Sequence, residues 1–170
     1  MKKVLKKLFG RFVDDYFTNN ACKKIRDLSP ESKIYFFDID NTIADTQGAK
    51  HLTLVNEFPY MINLVKEKGL QGKIFFLTAR NISTFPSTMQ WLLKKGFIKK
   101  EFELIFLTAP AKKIKILQTA ATHGLDVEYY DDLCYNHENK EIKKYDDVIA
   151  EVSNLKIIYK GIDDFRHLQK

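Results

Sequence analysis

Five short runs rich in Ile, Phe, Tyr and Leu, at residues 33–38, 73–78, 103–108, 126–131 and 155–159, punctuate the chain at regular intervals. Each has the length of a strand and is nearly continuous in apolarity, the pattern of strands covered on both faces. Longer stretches of helical character separate them, roughly 54–68, 84–95, 111–123 and 138–152, several ending near Gly69, Gly96 and Gly124, as helix C-termini do. This alternation predicts an α/β chain with a mostly parallel sheet of about five strands and helices on both faces. In such sheets ligands bind beyond the carboxyl ends of the strands, so chemistry is to be sought in the polar residues that end them.

The 170 residues, 45% hydrophobic, suffice for one well-buried core and are short for two. We therefore expect one domain over residues 31–170, preceded by a segment at 1–30. The net charge of +6 is unevenly spread: residues 1–30 carry eight Lys/Arg against three Asp, a balance of +5, and the other 140 residues are nearly neutral at +1. Electrostatic recruitment of nucleic acid or anionic lipid would fall mainly to the first segment. Cys22 and Cys134 form no CxxC pattern, which suggests neither a disulfide framework nor a zinc site. No apolar run reaches bilayer-spanning length and no secretory h-region is evident, so a cytoplasmic protein is expected.

Within residues 1–17, Val4, Leu5, Leu8, Phe9, Phe12, Val13, Tyr16 and Phe17 follow a helical stripe, with Lys2, Lys3, Lys6, Lys7 and Arg11 filling much of the remainder. Two readings follow: a basic amphipathic helix for peripheral membrane or protein contact, or a helix that packs on the domain's own surface.

The strand ends carry the chemistry. KIYFFDIDNT ends the first run in Asp38, Asp40 and Thr42; KIFFLTAR ends the second in Thr78 and Arg80; Lys112 and Lys113 follow the third; VEYYDD ends the fourth in Asp131 and Asp132. In a parallel sheet these groups meet at one rim. Carboxylates gathered there repel by about 4 kcal/mol per pair at about 4 Å and an effective dielectric of about 20, so a cation must neutralise them. The candidates are a lysine and a metal. An all-oxygen donor set selects a hard ion, with Mg²⁺ the foremost choice. Two acids, Mg²⁺, a lysine and a threonine hydroxyl suit charge stabilisation on a transferring phosphoryl group.

These four groups, in this order, resemble motifs one to four of the haloacid dehalogenase superfamily of phosphohydrolases, over about residues 33–132. The small size and FDIDNT motif resemble, more loosely, the phosphatase module of polynucleotide 3′-phosphatases. The resemblance implies a Rossmann-like three-layer α/β/α fold. It also implies catalytic roles for Asp38 as nucleophile, Asp40 as general acid and base, Thr78 as phosphoryl hydrogen-bond donor and Lys113 as its neutralising charge. Mg²⁺ would be held by Asp38, the Asp40 carbonyl, Asp131 and Asp132, while Thr42, Arg80 and Lys112 are candidates near the substrate. Lys113 is preferred to Lys112 because Ile116 and Leu117 stand three and four residues on, marking the face that packs on the sheet. IFLTAP at 105–110 echoes IFFLTA at 74–79, but Thr108 stands only four residues before Lys112, so Thr78 fits the second motif better.

Each piece has a plainer use: a strand-terminal Thr in a turn, a helix-start Lys in solvent, Asp-Asp as a cap. It is their joint order that carries the reading. His51, His123, His137 and His167 show no ligand spacing, and residues 136–140 read as a solvated loop. Only 31 positions separate Thr42 from Lys73 and 23 separate Arg80 from Glu103, room for a helix each and a minimal cap. An open site suits a nucleic-acid end, a phosphoprotein, a nucleotide or a small phosphometabolite, although the near-neutral body lacks the basic stripe of a strong nucleic-acid binder. The alternative is a catalytically silent binding module directed by its basic helix. The retained, mutually repelling acids argue against it.

Overall fold

The computed structural model describes residues 2–46, 52, 55–97, 104–106, 109–135 and 143–166. The echo at Thr108, three of the histidines (51, 137 and 167) and the stretch 136–140 lie outside them. Strands β1 (Lys33–Phe37), β2 (Lys73–Thr78), β3 (Leu104–Phe106), β4 (Asp126–Tyr130) and β7 (Ile158–Lys160) form a sheet in the order β3-β2-β1-β4-β7. All four pairings are parallel. A separate antiparallel ribbon joins β5 (Cys134–Tyr135) to β6 (Lys143–Lys144). The α/β class with a parallel sheet is thus as expected.

The connecting helices are α2 (Pro59–Gln71), α3 (Phe85–Lys94, entered through a 3₁₀ turn at Ile82–Thr84), α4 (Ala111–Thr122), α5 (Asp146–Ser153) and α6 (Ile162–Arg166), with α1 (Lys2–Arg26) in front. Pro at the first turn starts α2 and α3, where a missing N–H is harmless. α2 runs through Gly69 and stops at Gly72, where a Cβ would lie 2.4 Å from the Lys33 carbonyl oxygen; close approach to β1 requires glycine there. Gly96 and Gly124 follow α3 and α4 with φ of +73° and +80°, the left-handed exit that glycine adopts without penalty. Helical character was expected from residue 138, but Lys143–Lys144 pair as a strand and the helix begins only at Asp146.

Residues of β1, β2 and β4 that point to opposite faces enter different apolar clusters. Tyr35, Phe37, Phe76 and Tyr130 pack with Met61 and Val65 of α2 and with Trp91 and Leu92 of α3. Ile34, Phe36, Leu77 and Val127 pack with Ile116 and Leu117 of α4, Ile25 of α1 and Val152 of α5. The Phe37 and Tyr130 rings stack at 4.5 Å, which locks the β1–β4 register directly below the rim. The two intervals where a cap domain would sit hold, among the described residues, α2 and α3. None of the described helices is long and apolar enough to cross a membrane.

α1 docks on α4 along its C-terminal half. Lys112 pairs with Asp15 at 2.7 Å, Lys115 donates to Asn19 at 3.0 Å, and the buried free thiol of Cys22 accepts from Thr119 at 3.3 Å.

Candidate active site

The strand order reverses direction at β1: the chain steps outward through β2 and β3, then returns to the other side of β1 with β4. That switch point opens a crevice between two strand ends. The ladder continues one residue beyond the strands there. Asp38 N–H donates to the Tyr130 carbonyl at 2.9 Å and Asp131 N–H to Lys160 at 3.2 Å, which fixes both aspartates by their backbones.

The turn after β1 is built for the second acid. Asn41 takes φ of +55°, a conformation asparagine tolerates better than most residues, and its N–H donates to the Ala44 carbonyl at 2.7 Å. Thr42 is fully buried, and its hydroxyl oxygen accepts the Asp132 N–H at 3.1 Å. Thr42 therefore ties the first loop to the fourth and does not face the cleft. After β4, Asp131 Oδ1 accepts the Leu133 N–H at 2.8 Å, an Asx turn that forces Leu133 to φ of +42°. A left-handed leucine costs roughly 1 kcal/mol, stored beside the cluster it shapes.

Lys113 stands in the first turn of α4, where the helix dipole disfavours a cation, and is only 3% exposed. Two carboxylates offset both costs. Its Nζ donates to Asp38 Oδ1 at 2.9 Å and to Asp131 Oδ2 at 2.5 Å. Burial alone would pull its pKa down; Asp131 and Asp38 outweigh that and hold the ammonium above its ordinary value. Tyr129 also donates to Asp131 Oδ2. Burial and the neighbouring Asp131 push that phenol up, so it remains a donor. Asp38 itself is raised from 3.8 to about 7: burial is the main cause, Lys113 opposes it, and Asp131 and Asp40 add to it.

Oxygens of Asp38, Asp131 and Asp132 lie within 4.8 Å of one another, all three residues buried. Three short-range oxygen donors at that separation fit a small hard cation. Asp131 already accepts three hydrogen bonds, leaving about one of its four lone-pair sites. An open cleft of about 200 Å³ lies over the cluster, walled by Asp38, Asp40, Asn41, Ala79, Pro110, Lys113, Asp131, Asp132, Leu133 and Tyr145.

Asp40 reaches the same cleft but is held from the side. Arg80, 7% exposed, places Nη1 2.5 Å from its Oδ1, and the buried Thr78 hydroxyl is 3.5 Å from its Oδ2. Thr78 and Arg80, expected to face substrate, are thus both turned to Asp40. Lys112 points the other way, onto α1. Tyr129, Leu133 and Tyr145 were not anticipated. For Tyr129 a signal existed, since a residue two before Asp131 in a strand shares its face; for Leu133 and Tyr145 there was none.

Comparison of the chain with protein-family models, with curated proteins and with solved structures finds no match.

Proposed function

We propose that the chain is a Mg²⁺-dependent phosphomonoester hydrolase of the haloacid dehalogenase type, on a Rossmann-like three-layer α/β/α frame, acting in the cytoplasm on a phosphorylated substrate. The observation that carries this reading is the buried Lys113 ammonium bridging Asp38 and Asp131 at the switch point, with Asp132 alongside. A merely structural lysine gains nothing from a third acid beside the pair it already neutralises.

Asp38, the Asp40 carbonyl, Asp131 and Asp132 would hold Mg²⁺, which when bound supplies Lewis-acid stabilisation of phosphoryl charge. Asp38 attacks phosphorus: its Oδ–P bond forms as the ester P–O bond breaks, and Asp40 delivers a proton to the departing oxygen. Water then attacks the aspartyl-phosphate, Asp40 takes back a proton, and inorganic phosphate leaves with Asp38 restored. Lys113 opposes protonation of Asp38 and so favours the anion that attacks. In this reading Thr78 and Arg80 would exchange their contacts with Asp40 for the phosphoryl group when substrate enters. The open cleft favours substrates that exclude water with their own bulk.

Hydrolysis of a generic aryl phosphate, with Mg²⁺ and with EDTA, tests this. Wild-type protein should turn over with Mg²⁺ only, and Asp38→Asn should lose roughly 10³-fold in kcat. Inactivity of wild type across nucleotides, oligonucleotide ends, sugar phosphates and phosphopeptides would favour a silent binding module, and equal rates in both proteins would remove Asp38 as nucleophile.

A further inference from the structure

α1 covers one of its faces with its own domain and leaves another open. Asp14, Thr18, Ala21, Cys22 and Ile25 are buried, at spacings of i, i+4, i+7, i+8 and i+11, which is a single helix face. Phe12 and Tyr16 each stand two positions from a member of that face, roughly 200° around the helix. They are 71% and 58% exposed. Positions 5, 8 and 9 share their side by spacing, all three apolar in sequence. Phe12 and Tyr16, two aromatic members of the apolar stripe, are therefore turned away from the domain on which the helix docks.

Charge decides what covers it. Lys2, Lys3, Lys6, Lys7 and Arg11 precede any acid in the chain. The first acid, Asp14, is buried, and the next, Asp15, is paired with Lys112 at 2.7 Å. A second copy laid stripe to stripe would bring two such cationic segments together. An anionic bilayer offers the opposite charge, an apolar interior for the stripe and a headgroup boundary that aromatic residues favour. We propose that α1 lies on an anionic lipid surface through Phe12, Tyr16 and the apolar positions preceding them, holding the domain peripherally at the membrane. The arrangement needs no catalytic activity and stands or falls apart from it.

Co-sedimentation of the full chain with phosphatidylcholine vesicles, with and without phosphatidylserine, tests the proposal. Binding should require phosphatidylserine, weaken as salt is raised, and fall about tenfold or more in Phe12→Ser/Tyr16→Ser. Both side chains are largely in solvent, so this variant should unfold at the wild-type temperature. Absence of vesicle binding, or equal binding by the double variant, would overturn the proposal. A dimer that the double variant breaks, with no lipid binding, would assign the face to a second copy instead.

Discussion

Arg80, buried two residues past the end of β2, places its guanidinium against the carboxylate of Asp40, three residues past the end of β1. The pair spans neighbouring strands and braces the loop that carries both acids of DID. A carboxylate removed from a buried guanidinium leaves that charge poorly compensated. Asp40→Ala should therefore lower stability by about 2 kcal/mol, and Asp40→Asn by less, because the amide oxygen still accepts. Urea unfolding of the three proteins measures this. Equal midpoints for wild type and Asp40→Ala would show that the pair braces nothing.

Lys113 and Lys112 offer an internal comparison. Lys113→Met leaves Asp38 and Asp131 facing each other without their shared cation, so activity should fall by at least about 10²-fold. Lys112→Met breaks only an exposed pair with Asp15, worth roughly 0–1 kcal/mol, and should leave kcat near wild type. Steady-state kinetics on any accepted phosphate ester separates the two; a larger loss from Lys112 would reverse the assignment.

The raised pKa of Asp38 makes a signed prediction about metal-free protein. A carboxyl that holds its proton more tightly folded than unfolded favours the fold in its neutral form, and that advantage drains away as pH rises from about 3.8 to about 7. In EDTA, Asp38→Asn should be the more stable protein at pH 8, and its advantage should shrink toward pH 5. Mg²⁺ should raise the wild-type melting temperature at pH 8 and do so less at pH 5, where protons compete. Thermal melts across pH, with and without Mg²⁺, read all of this; a variant less stable than wild type at pH 8 would contradict it.

Glu128 behaves in the opposite sense. Burial pushes its pKa up, but Lys68 at 2.9 Å and the Tyr130 hydroxyl at 2.7 Å outweigh that and hold it below its ordinary value, with Lys33 farther off at 3.7 Å. Its stabilising contribution is complete above an unfolded pKa of about 4.5 and is lost as pH falls through the depressed folded value. Glu128→Gln should cost about 1–2 kcal/mol at pH 7, and the gap should close in acid. Urea titrations at pH 7 and pH 3 give the comparison.

Several of these relationships could be read from sequence, for identifiable reasons. Strands such as 33–37 and 73–78 announced themselves because burial on both faces leaves few polar residues, and parallel pairing then brings Asp38, Asp131 and the α4 lysine to one edge. Ile116 and Leu117 correctly oriented α4, turning Lys113 inward. The β5–β6 ribbon was hidden because Lys143 and Lys144 have no intrinsic preference for strands; their pairing is imposed by tertiary context. The docked face of α1 was hidden too. Apart from Ile25 it is made of Asp14, Thr18, Ala21 and Cys22, small or polar residues that no hydrophobic stripe would select, while Phe12 and Tyr16 of the visible stripe face outward. The contact between Arg80 and Asp40 left no trace in spacing at all.

The bond from the Asp132 amide to the Thr42 hydroxyl joins residues 90 apart in the chain, and the one from Lys113 to Asp38 joins residues 75 apart. A polypeptide emerging from the ribosome carries Asp38 long before it carries Lys113, Asp131 and Asp132. The acidic cluster is therefore incomplete until β4 has threaded in beside β1, a slow, non-local event in folding. Partial translation products that stop short of β4 therefore lack the cluster on which the proposed activity would depend, however much of the earlier sheet has formed.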